Sequence, residues 1–89
     1  PHPQRERGMV SRAGRLWRLI MNVIEELRAA VRDVRYAISE HLAHERMLRR
    51  NGEDDKADIR AARADELRQW DARMTRWLAE ALKEKTWKN

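Results

Sequence analysis

The residues of this chain whose types could bind a metal ion lie around two histidines near its middle. His41, His44 and Glu45 would lie within one turn of each other on a helix, and imidazole and carboxylate groups at this spacing can share a metal ion. His41 and Glu45 also continue an apolar seam, where polar residues commonly fix the register of packed helices. We therefore expect a polar layer or a solvated patch here, with no metal and no cofactor.

Nucleophilic catalysis has weaker support. The chain contains two serines, Ser11 and Ser39, and no cysteine. Ser39 precedes Glu40 and His41, but adjacent residues on a helix point in different directions and do not form a triad. No glycine-rich phosphate loop is present either, so the sequence predicts a protein that is not an enzyme.

Arginines near the N-terminus are the strongest functional candidates. Arg12, Arg15 and Arg18 recur every three residues, and such a row on a helix can contact successive phosphates through forked guanidinium contacts. Residues 1–18 carry five arginines and one acidic residue, Glu6. The expected nucleic-acid-binding residues are Arg5, Arg7, Arg12, Arg15, Arg18, Lys83, Lys85 and Lys88.

A long apolar repeat must position these groups. Its members follow one another in steps of three and four, which places them in one stripe along an α-helix that needs a partner over its whole length. They are Val10, Ala13, Trp17, Ile20, Ile24, Leu27, Val31, Val34 and Ile38. The pattern predicts a first helix over about residues 10–50, roughly 60 Å long at 1.5 Å per residue, with Ser11 as its N-cap.

The end of this helix has clear markers. Arg50 lies in the last turn, where cations favour the helix dipole, and Asn51–Gly52 can adopt the left-handed conformation of a C-cap. The acidic residues that follow suit the start of a second helix, with Asp54 or Asp55 as its N-cap. A turn over about residues 51–54 makes the two helices antiparallel neighbours.

The second helix is predicted over about residues 55–85. Its seam comprises Leu67, Trp70, Met74, Trp77 and Ala81. Nearer the turn, alanines at 57, 61 and 64 form a ridge of small residues that permits another helix to approach closely. Folding about Gly52 brings Val34 level with Trp70, to within about one helical turn. The open end of the hairpin is then expected to be basic and the turn end acidic.

The apolar stripe of the first helix is wider than a two-stranded contact needs. Leu16, Val23, Ala30 and Ala37 recur every seven residues beside it, and such width is typical of bundles of three or four helices. The sequence therefore predicts an all-α antiparallel hairpin that dimerises into a four-helix bundle, with an extended coiled-coil hairpin as the alternative. The predicted oligomer seam is Trp17, Ile20, Ile24, Leu27, Val31, Val34, Ile38, Leu67, Trp70, Met74 and Trp77.

Composition limits the remaining possibilities. Charged residues make up 39% of the 89 residues, and the net charge is +5. No run of about 18 apolar residues exists, and the N-terminus lacks the apolar core of a secretory signal. These features predict a soluble protein of a cytoplasmic or nuclear-type compartment, with a flexible basic arm over residues 1–9 and little affinity for membranes.

The function expected from charge and architecture is nucleic-acid binding, to RNA or DNA, through the basic end of a homodimeric hairpin. The alternative is a protein–protein interaction module, such as a scaffold, adaptor or inhibitor. Trp87 with the Leu78 and Leu82 flank would then form the contact patch, because tryptophan is enriched at the energetic centres of interfaces.

Overall fold

A computed structural model describes residues 11–88 of the chain, with side chains as far as Glu84. This part consists of two helices, α1 (Arg12–Arg50, 39 residues) and α2 (Asp54–Lys88, 35 residues), and contains no strand. The all-α helical hairpin is therefore confirmed. The predicted arm over residues 1–9, which includes Arg5 and Arg7, lies outside the described residues, as does Val10.

Helix α1 begins as its sequence predicts. The Ser11 hydroxyl oxygen accepts a hydrogen bond from the Gly14 backbone N–H at 3.1 Å, and the Ser11 carbonyl accepts from Arg15 at 3.1 Å. The side chain thereby satisfies one of the N–H groups that have no partner within the helix. Ser11 is the N-cap, as expected.

A three-residue turn closes the hairpin. Gly52 has φ +78°, and its N–H donates to the Arg49 carbonyl at 3.1 Å while the Glu53 N–H donates to the Leu48 carbonyl at 2.9 Å. This pair of bonds is the Schellman motif, which satisfies the last carbonyls of α1. The glycine at 52 is required there because other residues rarely adopt a positive φ.

The start of α2 differs from the prediction by one residue. Glu53 precedes the helix, and its carbonyl accepts the first helical bond from Ala57 at 3.0 Å, so Glu53 occupies the N-cap position. Asp54 and Asp55 instead lie in the first turn. The Schellman motif already uses the Glu53 N–H, so one residue ends α1 and begins α2.

The core is a narrow row along the contact between the helices. Its buried members among the described residues are Ile24, Val31, Ala57, Ala64 and Met74. Of the predicted alanine ridge, Ala57 and Ala64 are fully buried and Ala61 is half-buried.

Ion pairs across the contact show its register. Arg35 Nε lies 3.2 Å from an Asp71 carboxylate oxygen, and Arg49 Nη2 lies 2.9 Å from Asp58. Since Arg35 follows Val34 and Asp71 follows Trp70, the register agrees with the predicted level of Val34 and Trp70 to within a helical turn.

The hairpin is a single layer of helices. Its extents are 74 × 25 × 13 Å, and the smallest of these is close to the diameter of one helix with its side chains, roughly 10–12 Å. Within residues 11–84, no third element covers either broad side of the hairpin.

Replacing Gly52 with alanine should destabilise the hairpin by about 1 kcal/mol, since a left-handed backbone disfavours a Cβ atom. The added Cβ would meet no atom within 4 Å, so the loss would come from the backbone alone. Urea denaturation followed by circular dichroism measures it. Gly52→Asn should lose less because asparagine tolerates this conformation, and equal losses from the two variants would contradict the explanation.

Truncating Ile24 should test how far stability depends on the narrow core. Ile24 is 1% exposed, and Ile24→Ala should cost roughly 2–5 kcal/mol. Ile59 is 68% exposed and provides a matched control, for which Ile59→Ala should change the unfolding free energy by less than about 0.5 kcal/mol. Comparable effects of the two variants in urea denaturation would be evidence against this core.

Candidate functional site

The two broad sides of the hairpin carry different residues. A groove of about 370 Å³ near the turn is lined by His44 from α1 and Arg63 from α2, among others, so these two positions face the same side. Positions seven residues apart share a side of a supercoiled helix. The same side therefore presents the row Leu16, Val23, Ala30 and Ala37 on α1 and the row Trp70 and Trp77 on α2, and we term it the tryptophan face.

Large apolar side chains on the tryptophan face are exposed to solvent. Leu16 is 49% exposed and Val23 47%, while Trp70 is 44% and Trp77 47% exposed. Leu19, at 61%, adjoins Leu16 and Val23 on the surface of α1. Exposed apolar groups that adjoin one another in this way commonly mark an interaction site.

The placement of the two tryptophans corrects one sequence-based expectation. Within the hairpin they lie beside the helix contact, where Met74 is buried and Asp71 half-buried. The period of three and four residues fits both the central row and its neighbour, and the apolar character of tryptophan favoured the wrong one. Their place in a seam between two copies of the chain stays a prediction.

Trp70 has a charged neighbour on its own helix. The Arg73 guanidinium lies 5.3 Å from the centre of the Trp70 ring, a distance at which a cation is attracted to the electron-rich face of indole. Arg73 is exposed and adds a positive charge beside the apolar row. The surface is thus an apolar strip with charged margins.

The opposite broad side carries ion pairs, and we term it the charged face. It contains the Arg35–Asp71 pair, in which Asp71 also accepts a hydrogen bond from the Thr75 hydroxyl at 3.1 Å. Arg49 contacts Asp58 and Glu45, each at 2.9 Å. Such exposed pairs contribute little to stability, but they give these charged side chains partners within the chain.

The same carboxylates affect the ionisation of Arg49. The hydrogen bond that Arg49 donates to Asp58 is the main cause that raises the pKa of the guanidinium above its ordinary value, and the one it donates to Glu45 adds to it. The group is already fully charged at neutral pH, so the effect leaves its charge unchanged.

The groove near the turn is basic, a feature that the sequence-based prediction did not include. Its lining is His41, His44, Leu48, Lys56, Ile59, Arg60 and Arg63. Lys56, Arg60 and Arg63 are spaced by four and three residues on α2, a pattern that could have revealed the row. The acidic character expected of the turn end is confined to residues 53–55 and Asp58.

Of the two histidines in this groove, His41 is half-buried and contacts Arg60, whereas His44 is exposed. His41 Nδ1 lies 3.2 Å from Arg60 Nη1, and because a guanidinium cannot accept a hydrogen bond, Nδ1 is the acceptor. Within the described part of the chain, no three histidine, aspartate or glutamate side chains are grouped closely enough to hold a metal ion. The Ser39 hydroxyl donates to the Arg35 carbonyl at 3.1 Å, as serines inside helices commonly do.

The predicted nucleic-acid-binding residues are only partly described. Arg12, Arg15 and Arg18 are exposed on the first turns of α1, and Lys83 is exposed on α2. The first turn of α1 contains no acidic residue. The side chains of Lys85 and Lys88, and that of Trp87 in the alternative contact patch, lie outside the described side chains, while Leu78 and Leu82 are half-buried.

Two further observations concern the chain as a whole. Neither helix, over the residues described, combines the length and the apolar character needed to cross a membrane. No protein-family model matches the sequence, and comparison with curated proteins and with solved structures gives no match either. The surface of the hairpin itself is therefore the basis for inferring a function.

Proposed function

We propose that this chain is a non-enzymatic interaction module that associates with a second copy of itself through the tryptophan face. The observation that carries the proposal is the exposure of Leu16, Val23, Trp70 and Trp77 on one side of a single-layer hairpin. Two such hairpins, face to face, form a four-helix bundle. A second copy is the occupant favoured here because it supplies an apolar strip of the same length.

The energetics of a single hairpin support this association. Few side chains are buried, and Ile24 is the one large residue among those described that is almost completely removed from water. Small domains gain little stability from such a core and commonly depend on oligomerisation. Covering the tryptophans would add apolar burial at about 25 cal/mol per Å².

The charged face explains why association would use one side only. Bringing a second helix over Arg35 and Asp71, or over Arg49 and Asp58, would remove paired charges from water. This desolvation is costly even for paired groups, whereas covering the opposite side removes mainly apolar surface. The hairpin is therefore expected to form closed dimers and not open stacks.

Removing both indoles should abolish self-association. Sedimentation equilibrium should give a dimer for the wild-type chain and a monomer for Trp70→Ala/Trp77→Ala, because the apolar area on the face would fall sharply. Tyr36 is an exposed aromatic residue, at 69%, on the solvent side of α1. Tyr36→Ala is the matched control and should remain dimeric, and a monomeric wild-type chain would refute the proposal.

A second candidate function, nucleic-acid binding, is favoured by the arginine row. Arg12, Arg15 and Arg18 are exposed at the N-terminal end of α1, and among the described residues no ion pair involves them. The helix dipole adds positive potential at the same end. Guanidinium groups without carboxylate partners are available to phosphates.

Reversing the charge of this row should weaken binding to a short RNA or DNA duplex. Fluorescence anisotropy across a salt series should show affinity falling steeply with salt in the wild-type chain, as counterions are released. The triple variant Arg12→Glu/Arg15→Glu/Arg18→Glu should lose most of this affinity. The control reverses three exposed arginines elsewhere, namely Arg32, Arg46 and Arg50. Equal losses would indicate an effect of net charge alone.

A further inference from the structure

The two rows of the tryptophan face have complementary sizes. On α2 the residues at its middle are Trp70 and Trp77, and on α1 they are Ala30 and Ala37, each pair seven residues apart. The ion pairs that join the helices place Ala37 at the level of Trp70 and Ala30 at the level of Trp77. One half of the face therefore projects at the levels where the other half is recessed.

We propose that the two hairpins of the dimer lie parallel, with both turns at the same end. This inference rests on the self-association proposed above. A two-fold axis along the length of the hairpin places α1 of one copy on α2 of the other. Trp70 then covers the partner's Ala37, and Trp77 covers the partner's Ala30. Large residues facing small ones give an evenly filled interface.

The opposite orientation places like against like. With the turns at opposite ends, α2 lies on the α2 helix of the other copy, so that Trp70 faces the partner's Trp77. On the other half of the face, Ala30 lies on the partner's Ala37. The tryptophan pairs would hold one half of the interface apart while the alanine pairs left a gap in the other half, and both defects are unfavourable.

Two charged residues beside the alanine and tryptophan rows also favour the parallel orientation. Asp33 and Arg73 are exposed and lie at nearly the same level, outside the alanine and tryptophan rows. In the parallel dimer Asp33 meets the partner's Arg73. In the opposite orientation Asp33 meets the partner's Asp33, and Arg73 meets the partner's Arg73, and such like-charge contacts disfavour an arrangement.

Other charged residues distinguish less clearly between the two orientations. Glu26 meets a glutamate of the other copy in either orientation, so it favours neither. The opposite orientation would bring Arg63 to the partner's Glu84. Arg63 already lies 3.3 Å from Glu66 on its own helix, just as Asp33 lies 3.7 Å from Arg32, so neither cross-dimer pair decides the orientation alone. An exposed ion pair contributes little, and it does not offset the mismatch of the tryptophan and alanine rows.

The parallel orientation has a consequence for the basic end. It brings the N-termini of both α1 helices to one end of the bundle, together with two copies of the row Arg12, Arg15 and Arg18. A phosphate backbone that reaches this end would meet arginines of both copies in a single surface. The opposite orientation would place one row at each end of the bundle.

Cysteine cross-linking separates the two orientations, because the natural chain contains no cysteine. The variants are Asp33→Cys, Arg73→Cys and the double variant that combines them, each treated with a short bismaleimide linker. Tyr36→Cys, on the solvent side of α1, controls for random collisions. The readouts are the covalent dimer on a denaturing gel and the mass in solution from sedimentation.

The expected result is a covalent dimer from the double variant and from neither single variant. Covalent dimers from each single variant would show the opposite orientation and overturn the inference, while leaving the proposed self-association intact. A sedimenting dimer that no variant links more than Tyr36→Cys would place the contact on another face and also overturn it. A wild-type chain that sediments as a monomer would instead refute the proposed function.

Discussion

The three-residue turn between the helices is the constraint on which the rest of the structure depends. Gly52 in a left-handed conformation lets the last carbonyls of α1 bond to the N–H groups of Gly52 and Glu53, and Glu53 at once begins α2. So short a link leaves little freedom in the relative position of the helices. It holds Ala57 and Ala64 against α1 and sets which residues of each helix share a level.

From this register follows the difference between the two broad sides. Arg35 reaches Asp71 and Arg49 reaches Asp58 on one side, so that these charges have partners within the chain. On the other side the same register aligns Trp70 and Trp77 with two alanines of α1, and both indole rings stay partly exposed to solvent. The charged face therefore has partners for its charges within the chain, whereas the tryptophan face exposes apolar side chains to solvent.

This asymmetry links the two proposed functions. Association through the tryptophan face would stabilise helices whose own core is small, since apolar burial increases with the thickness of the bundle. If the hairpins lie parallel, the interface also brings the arginine rows of both copies together. Packing in the middle of the bundle would then determine the charge density at its end, where a polyanion such as RNA or DNA would bind.

The sequence by itself determined the local features: two helices, the Ser11 cap, the turn at Asn51–Gly52 and the alanine ridge. These features depend on the hydrogen-bonding groups and side-chain sizes of residues that are close together in the chain, so they can be predicted from the sequence. The sequence also predicted the register to within a turn, because the loop is too short to allow much else.

Only the tertiary structure decided which apolar row is buried between the helices and which is left outside. Trp70 and Met74 both satisfy a spacing of three and four residues, and periodicity cannot tell a central row from its neighbour. The packing that buries Ala57, Ala64 and Met74 between the helices makes that choice. The same packing gathers Lys56, Arg60 and Arg63 with His41 and His44 in one groove. The sequence did not predict this groove, because the separation of two residues along the chain does not give their distance across the hairpin.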